Sequence, residues 1–420
     1  MRRIGVKKER SIPITEAMVQ KAYKKVKSNK GSSGVDQVSL ASFQQDLSNN
    51  LYKIWNRLSS GSYFPIAVRE VTIPKSNGGN RKLGIPSIGD RVAQQVIKDY
   101  LEPRLESQFH DSSYGYRPLR SAHQAVTAVR KNVIDYAWVI DIDIKNFFDE
   151  VDHVLLMKAL DRHVEERWVK MYIQRWLEAP VMGSDGQTYM REGKGTPQGG
   201  VISPLLANLY LHYTLDKWMA YHHVGVPFVR YADDVIVHCQ EETEAHLILD
   251  SIRERLSNCG LSLNEEKTKI VYCRNYRRSK RNFGVKFDFL GFRFQPRSAK
   301  ASGDTGFYLW YDCRISPSSI KRIVQGWRSE KLHKRTHLDL PALAAHINKS
   351  LEGVLKYYCK ISRRGMGRLI EALNFRLVKW VQNKYGRFGG SYTQAYRWLK
   401  GIRDSYPNLF SHWKYRYLYV

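Results

Sequence analysis

Two apolar segments that break off in aspartates constrain this chain more than any other feature. In YAWVIDIDIKNFF (136–148) an apolar run ends at Asp143, and in FVRYADDVIVHC (228–239) two alternating apolar arms flank Ala232, Asp233 and Asp234. The first reads as a buried strand and the second as a hairpin. Asp141, two residues before Asp143, shares its face of the strand. Taken singly, adjacent aspartates in a turn read first as turn formers or solvated acids. Taken together, three carboxylates at strand ends invite divalent cations, because Mg2+ prefers hard oxygen donors. A pair of such ions about 3.5–4 Å apart needs acidic ligands from separate segments and suits in-line transfer at phosphorus.

The chain that carries these segments is a strongly basic globular protein. Its 420 residues hold 68 Lys+Arg against 40 Asp+Glu, a formal net charge of +28, with 43% hydrophobic residues. That hydrophobic share supports a large core, so the excess charge decorates a folded surface and points to a polyanionic partner. No apolar run approaches ~18 residues, so no membrane partner is expected. The start, MRRIGVKKERSIPI, lacks the apolar stretch of a secretory signal. The five cysteines (Cys239, Cys259, Cys273, Cys313, Cys359) form no C-x-x-C pair, which disfavours zinc and disulfide frameworks and fits a reducing cytosol.

Along the chain, residues 14–57 carry two helical patterns separated by a glycine-punctuated basic loop, Ser28 to Asp36. VREVTIP, SNGGN and RKLGIP read as a β-hairpin bearing Lys75 and Arg81. A helical stretch follows from about Asp90 to Phe109, and another begins after Asp152. Strands interleaved with helices make residues 63–300 α+β. Strand signals fade after FYLWYDC (307–313), and the remainder reads as helices. Residues 301–420 hold 22 Lys+Arg against 7 Asp+Glu, with Trp310, Trp327, Trp380, Trp398 and Trp413 among them. Basic residues interleaved with aromatics suit a surface that grips phosphates and unpaired bases; a basic solvated face over an aromatic core gives the same text.

The order of several blocks carries a family resemblance. IPKSNGGNRKLGIP (73–86), SSYGYRP (112–118), DIKNFFDEVDH (143–153), GTPQGGVISPLLANLYL (195–211), YADD (231–234), LSLNEEKT (261–268) and FDFLGFRF (287–294) resemble the successive blocks of group II intron reverse transcriptases. The resemblance covers roughly residues 15–420. It implies an α+β right-hand polymerase with fingers and palm (63–300), after an N-terminal extension with a basic template loop (1–62). An all-helical thumb or maturase region (301–385) and a basic C-terminal nucleic-acid-binding segment (386–420) would follow.

Residue by residue, the resemblance implies that Asp143, Asp233 and Asp234 are catalytic and bind two Mg2+ ions, with Mn2+ as a substitute and the Ile144 carbonyl completing one shell. Asp143 is preferred over Asp141 because the motif places the ligand directly before I-K-x-F-F. Phe148 corresponds to the bulky residue under the sugar of the incoming nucleotide, where a ring leaves no room for a 2′-hydroxyl. Phe147 reads as the core ring beside it. Lys75 and Arg81 correspond to the clamp on the triphosphate. Gln198, within Thr196–Gly200, lies in the block beneath the template–nucleotide pair. Lys267 stands where a general acid for pyrophosphate is placed, with Lys269 close by. NKGSSGVD (29–36) resembles the loop that covers template and primer, and LEGVLKYY (351–358) and 395–413 resemble the thumb and maturase region.

The expected partners are group II intron RNA, an RNA template with a DNA primer, target DNA and deoxynucleoside triphosphates, in a bacterial cytoplasm. The sequence has no segment like the family's zinc-supported endonuclease, so no fused endonuclease is expected, as in the compact group IIC-like lineages. Two other readings stay open: a domesticated enzyme serving host DNA repair, phage defence or CRISPR spacer acquisition, and a splicing cofactor with a vestigial polymerase.

Overall fold

The computed structural model describes residues 12–74, 79–280, 283–300 and 306–415; Lys75 and the basic start of the chain lie outside the described residues. The strands are β1 (Val68–Pro74), β2 (Asn80–Ile85), β3 (Trp138–Asp143), β4 (Val181–Met182), β5 (Thr188–Tyr189), β6 (Phe228–Tyr231), β7 (Asp234–Cys239), β8 (Lys269–Tyr272), β9 (Phe287–Phe289), β10 (Phe292–Lys300) and β11 (Phe307–Ile315). They form three sheets, ordered β2-β1-β4-β5, β6-β7-β3-β8 and β11-β10-β9. The chain divides into two compact units, one of residues up to 121, 142–237 and 246–269, the other of 122–141, 238–245 and 270 onward.

The first unit is organised around the helix Ile88–Glu106, whose Val92, Ala93, Ile97, Leu101 and Leu105 are fully buried. Its start is capped: Ser87 Oγ accepts the Asp90 N–H at 3.0 Å and donates to Asp90 Oδ2 at 2.9 Å. Helix Glu16–Ser28 lies against it, burying Val19, Ala22, Tyr23 and Val26, with Lys25 Nζ 2.8 Å from Asp99 Oδ1. The two helical patterns read at 14–57 become three helices, Glu16–Ser28, Leu40–Gln45 and Leu47–Ser60, because Asp46 leaves helical geometry (φ −121°, ψ 49°). The loop between the first two is pinned by the Arg91 guanidinium, which donates to the carbonyls of Ser32 and Pro86.

In the second unit β9, β10 and β11 form an antiparallel meander. Phe289 pairs with Phe292 across a two-residue turn, Leu290–Gly291, in which both residues have positive φ (48° and 80°). That is the hairpin geometry whose twist matches the strands, and it explains LG within FDFLGFRF. Helices Pro317–Ser329, Leu340–Ile361, Gly367–Lys384 and Tyr392–Ser405 follow. The helix Ala122–Asp135 also belongs here: His123 Nε2 lies 2.8 Å from the Tyr357 carbonyl, and Arg278 donates to the carbonyls of Val133, Ile134 and Tyr136.

A division at residue 300 separates two antiparallel partners, since Lys300 of β10 pairs with Phe307 of β11. The tryptophans of the basic third do not all face solvent. Trp327, Trp380 and Trp413 are buried, and Trp380 Nε1 donates to the Arg335 carbonyl at 3.0 Å, so these rings are core and are closed to bases.

The cysteines are free, and Cys239, Cys259, Cys273 and Cys313 are buried. Burial pushes the thiols of Cys239, Cys273 and Cys313 up to about 12, which makes them inert. Among the described residues no helix is long and apolar enough to cross a membrane.

Candidate active site

Every described candidate residue falls within the first unit. Asp143 ends β3, whose first residues Trp138, Val139 and Ile140 are buried. LSLNEEKT is laid along this strand end: Asn264 N–H donates to the Asp143 carbonyl at 2.8 Å, Lys145 N–H to the Ser262 carbonyl at 2.9 Å, and Ile144 bridges Leu263. That path delivers Lys267, whose Nζ lies 2.8 Å from Asp143 Oδ2. Asn146 then takes a left-handed conformation (φ 44°), turning the chain from strand into the helical turn Phe147–Glu150.

Both rings of that turn are buried, Phe147 at 2% and Phe148 at 5% exposure, edge to face with centroids 5.4 Å apart. Phe147 is the core ring expected from sequence, and Phe148 is nearly as enclosed. The Phe148 carbonyl accepts the Thr196 N–H at 2.7 Å, which docks the TPQGG block on it. Gly199 (φ 126°) approaches so closely that a Cβ would stand 2.4 Å from the Gly84 carbonyl oxygen. The same loop is stitched to the β1–β2 hairpin, since Gly84 N–H donates to the Gln198 carbonyl at 2.8 Å and Arg81 Nε donates to Gln198 Oε1 at 2.7 Å.

YADD forms the tight end of the β6–β7 hairpin: Tyr231 pairs with Asp234, leaving Ala232 and Asp233 as its two turn residues. Ala232 has φ 57°, a left-handed position that a side chain rarely takes, so its surroundings must hold it. Arg230, fully buried, donates through Nη1 to the Ala232 carbonyl at 3.1 Å and to Asn208 Oδ1 at 3.0 Å. Its Nε and Nη2 grip the equally buried Asp216 carboxylate at 2.7 and 2.5 Å. Burial pushes Asp216 up, but Arg230 overrides it and the net shift is downward. Asp216 ends a π-helical turn, His212–Asp216, that interrupts the helix after Leu211. From the other side Gly115 presses on the turn, where a Cβ would meet the Ala232 nitrogen at 2.4 Å.

Sequence reading missed this support. The signals that pointed to it were an arginine inside the apolar arm FVRY and an asparagine inside the apolar LLANLYL.

Electrostatically the pieces meet at Asp233. Its carboxyl is pushed up by burial and by Asp143, and drawn back by its own backbone, Arg81 and Lys267. Tyr116, half exposed and also missed from sequence, sits 6.4 Å ring to ring from Tyr231; partial burial, then the charge of Asp233, push its hydroxyl up. Asp234 is exposed at the start of β7. A carboxylate whose ionisation is made costlier by burial and by a second carboxylate suits a hard divalent cation. Among the described residues no three acidic, histidine or cysteine side chains are already gathered at ion-holding spacing, and Lys267 takes one Asp143 oxygen. The sites of Asp143, Ile144, Phe148, Gln198, Arg81, Asp233, Asp234 and Lys267 thus come from five separate segments, while Lys75 lies outside the described residues.

Comparison with known proteins agrees. The family model described as reverse transcriptase (RNA-dependent DNA polymerase) matches residues 73–294. Protein YkfC of Escherichia coli (strain K12) is 35% identical over 279 residues, covering 57% of this chain and 72% of YkfC. The group II intron-encoded protein LtrA of Lactococcus lactis subsp. cremoris is 34% identical over 253 residues, covering 60% of this chain and 40% of LtrA. A 91 kDa protein in the cob intron of Schizosaccharomyces pombe is 34% identical over 200 residues, 47% of this chain and 24% of that protein. The match thus spans most of YkfC but less than half of the two intron proteins. A right-hand polymerase core with carboxylates at the end of β3 and in the β6–β7 turn, and a family match over more than half of the sequence, lead to one conclusion: the chain belongs to the reverse transcriptase family of RNA-dependent DNA polymerases.

Proposed function

We propose that this chain adds deoxynucleotides to a DNA primer on an RNA template, and binds the group II intron RNA that encodes it to assist splicing. The observation that carries the polymerase reading is the approach of Asp143 and Asp233 from separate strands, each strand end braced by its own hydrogen bonds and flanked by Lys267 and Arg81. Asp143, Asp233 and Asp234, with the Ile144 carbonyl, would hold Mg2+, or Mn2+ in its place. When bound, the ions supply Lewis-acid stabilisation of charge developing on the phosphates.

The remaining work belongs to side chains. Arg81, with Lys75, clamps the triphosphate, and Gln198 orients Arg81 through the 2.7 Å hydrogen bond to its Nε. The Phe148 ring bounds the sugar and excludes a 2′-hydroxyl. Lys267 supplies the proton that the departing pyrophosphate takes up. Fingers and palm are assigned within residues 63–300, the thumb to the helices from Pro317 onward, and nucleic-acid binding to the basic segment beyond 386. The substrates are deoxynucleoside triphosphates, the template–primer and, for insertion, target DNA, in a bacterial cytoplasm.

The test is extension of a DNA primer annealed to RNA, in Mg2+, by the wild type and by Asp143→Asn and Asp233→Asn. Both variants should lose extension and keep RNA binding, since each loses one candidate metal ligand and no basic residue. Near wild-type extension by either variant refutes the assigned site.

A further inference from the structure

In the second unit a basic cleft opens on one face of the β9–β11 sheet, and none of its lining residues is among the candidate site residues assigned above. Arg293, Gln295 and Arg297 alternate along β10 and so share a face. Arg314 of β11 stands directly opposite Arg293 in the register. Like charges facing across a ladder repel, and the protein offsets only part of that repulsion. Asp288 takes Arg293 in a two-pronged pair, at 2.6 and 2.8 Å. Arg314 has its carboxylate, Asp312, no nearer than 3.6 Å. The Nε atoms of Arg297 and Arg314 are buried without a hydrogen-bond partner. Burial, then the charge of Arg314, pushes the Arg297 guanidinium down from its ordinary value.

A second segment brings more cations to the same place. Gly365 has φ 96°, and a Cβ on it would lie 3.0 Å from Arg314 Cδ. Glycine therefore lets the loop Arg363–Gly365 lie on the Arg314 stem with Arg364 beside it. The helix Gly367–Lys384 starts there, with Arg368 in its first turn and no side-chain cap from Met366. Its free N–H groups and positive dipole end add to the field. The result is a cleft of about 810 Å³ lined by Arg293, Arg297, Arg314, Arg363, Arg364 and Arg368, with Glu371 as its one acidic lining residue among those described.

We propose that this cleft binds the sugar–phosphate backbone of a nucleic-acid strand, with two or more consecutive phosphates lying across it. The inference deepens the nucleic-acid-binding part of the proposed function and rests on it. One observation favours a strand over a single small anion. The guanidiniums are spread out: four residues of strand at about 3.3 Å each separate Arg293 from Arg297 by about 13 Å, more than one phosphate spans. Guanidinium forks match phosphate oxygens two at a time. No aromatic side chain is among the described lining residues, so the cleft itself is built for phosphates and not for base edges.

The experiment measures binding of a labelled single-stranded RNA, and of DNA of the same sequence, to the full chain across a salt series. Arg364→Gln/Arg368→Gln changes two exposed residues, so folding is not at stake. It should weaken both strands about tenfold and flatten the slope of log K against log salt by about 1.4, since each single-strand phosphate contributes about 0.7. Lys24→Gln/Lys53→Gln, two exposed lysines of the other unit, removes equal charge and should change affinity less than about twofold on the same argument. Equal loss in both variants, or loss in neither, overturns the proposal. So does inorganic pyrophosphate binding that the arginine variant abolishes while strand affinity stays unchanged, because the cleft would then be a small-anion site. The same preparations are assayed for primer extension. Arginine-specific loss of strand binding in a chain that never extends a primer would sink the polymerase reading and leave the cleft standing.

Discussion

Lys267 Nζ lies 2.8 Å from Asp143 Oδ2, joining residues 124 positions apart in the sequence. The ammonium neutralises a carboxylate assigned to metal binding and is itself assigned to the leaving group. Lys267→Met should therefore have two separable effects. Extension at saturating Mg2+ should fall by about 10²-fold or more, the usual contribution of a positioned acid. The Mg2+ concentration for half-maximal rate should fall as well, because Asp143 loses its competing cation. Single-turnover extension over a Mg2+ titration reads both quantities, and an unchanged rate contradicts the proton-donor role.

Phe147 and Phe148 are both buried, so truncating either to alanine should lower stability by about 3–5 kcal/mol. Sugar selection should separate them. Phe148→Ala should raise ribonucleotide use relative to deoxynucleotide use, and Phe147→Ala should not. Ratios of kcat/KM for matched nucleotide pairs, with denaturation midpoints for both variants, make the check; a change at Phe147 alone moves the gate by one residue.

The Arg230–Asp216 pair lies fully buried under the YADD turn. Asp216→Leu leaves the guanidinium without its counter-charge and should cost about 3–5 kcal/mol, whereas Arg230→Leu/Asp216→Leu removes both charges and should be less destabilised than either single variant. Urea unfolding of the four proteins measures the coupling. Simple additivity would mean that the pair does not act as a unit.

Asp90 is buried, and burial raises its carboxyl from 3.8 to about 6 despite hydrogen bonds from Tyr63 and Ser87. A folded pKa above the unfolded one means that the native state binds more protons between these values. Stability should therefore fall as pH rises from about 4 to about 6 and level off above, by about 3 kcal/mol in all. Asp90→Asn should remove this part of the pH dependence, and unfolding midpoints at closely spaced pH values would expose a profile that stays the same.

How much of this was legible before folding depends on the range of each signal. The ends of β3 and the β6–β7 turn were readable because apolar alternation and a turn between two arms are local properties of the text. Their order with DIKNFF, TPQGG and LSLNEEKT carried the family. The hairpin bearing Arg81 was visible for the same reason. Its hydrogen bond to Gln198, 117 residues away, was not, because periodicity says which face a residue occupies and nothing about what meets that face.

The same limit hid the brace beneath YADD. A buried arginine in a strand looks like an error of patterning until Asp216 and Asn208 are brought to it, and only the π-helical turn after Leu211 and the packing of Gly115 do that. It also hid the arginine cleft, since Arg314 and Gly365 meet only because the strand β11 and the loop before Gly367 fold together. Composition announced an excess of cations in the last third of the chain and could not divide its aromatics between core and surface. The sequence alone determined which chemistry the chain carries and in what order along it. Tertiary structure decided which charges are paired, which rings are buried and which cations converge, because those depend on contacts between residues that are neighbours only in space.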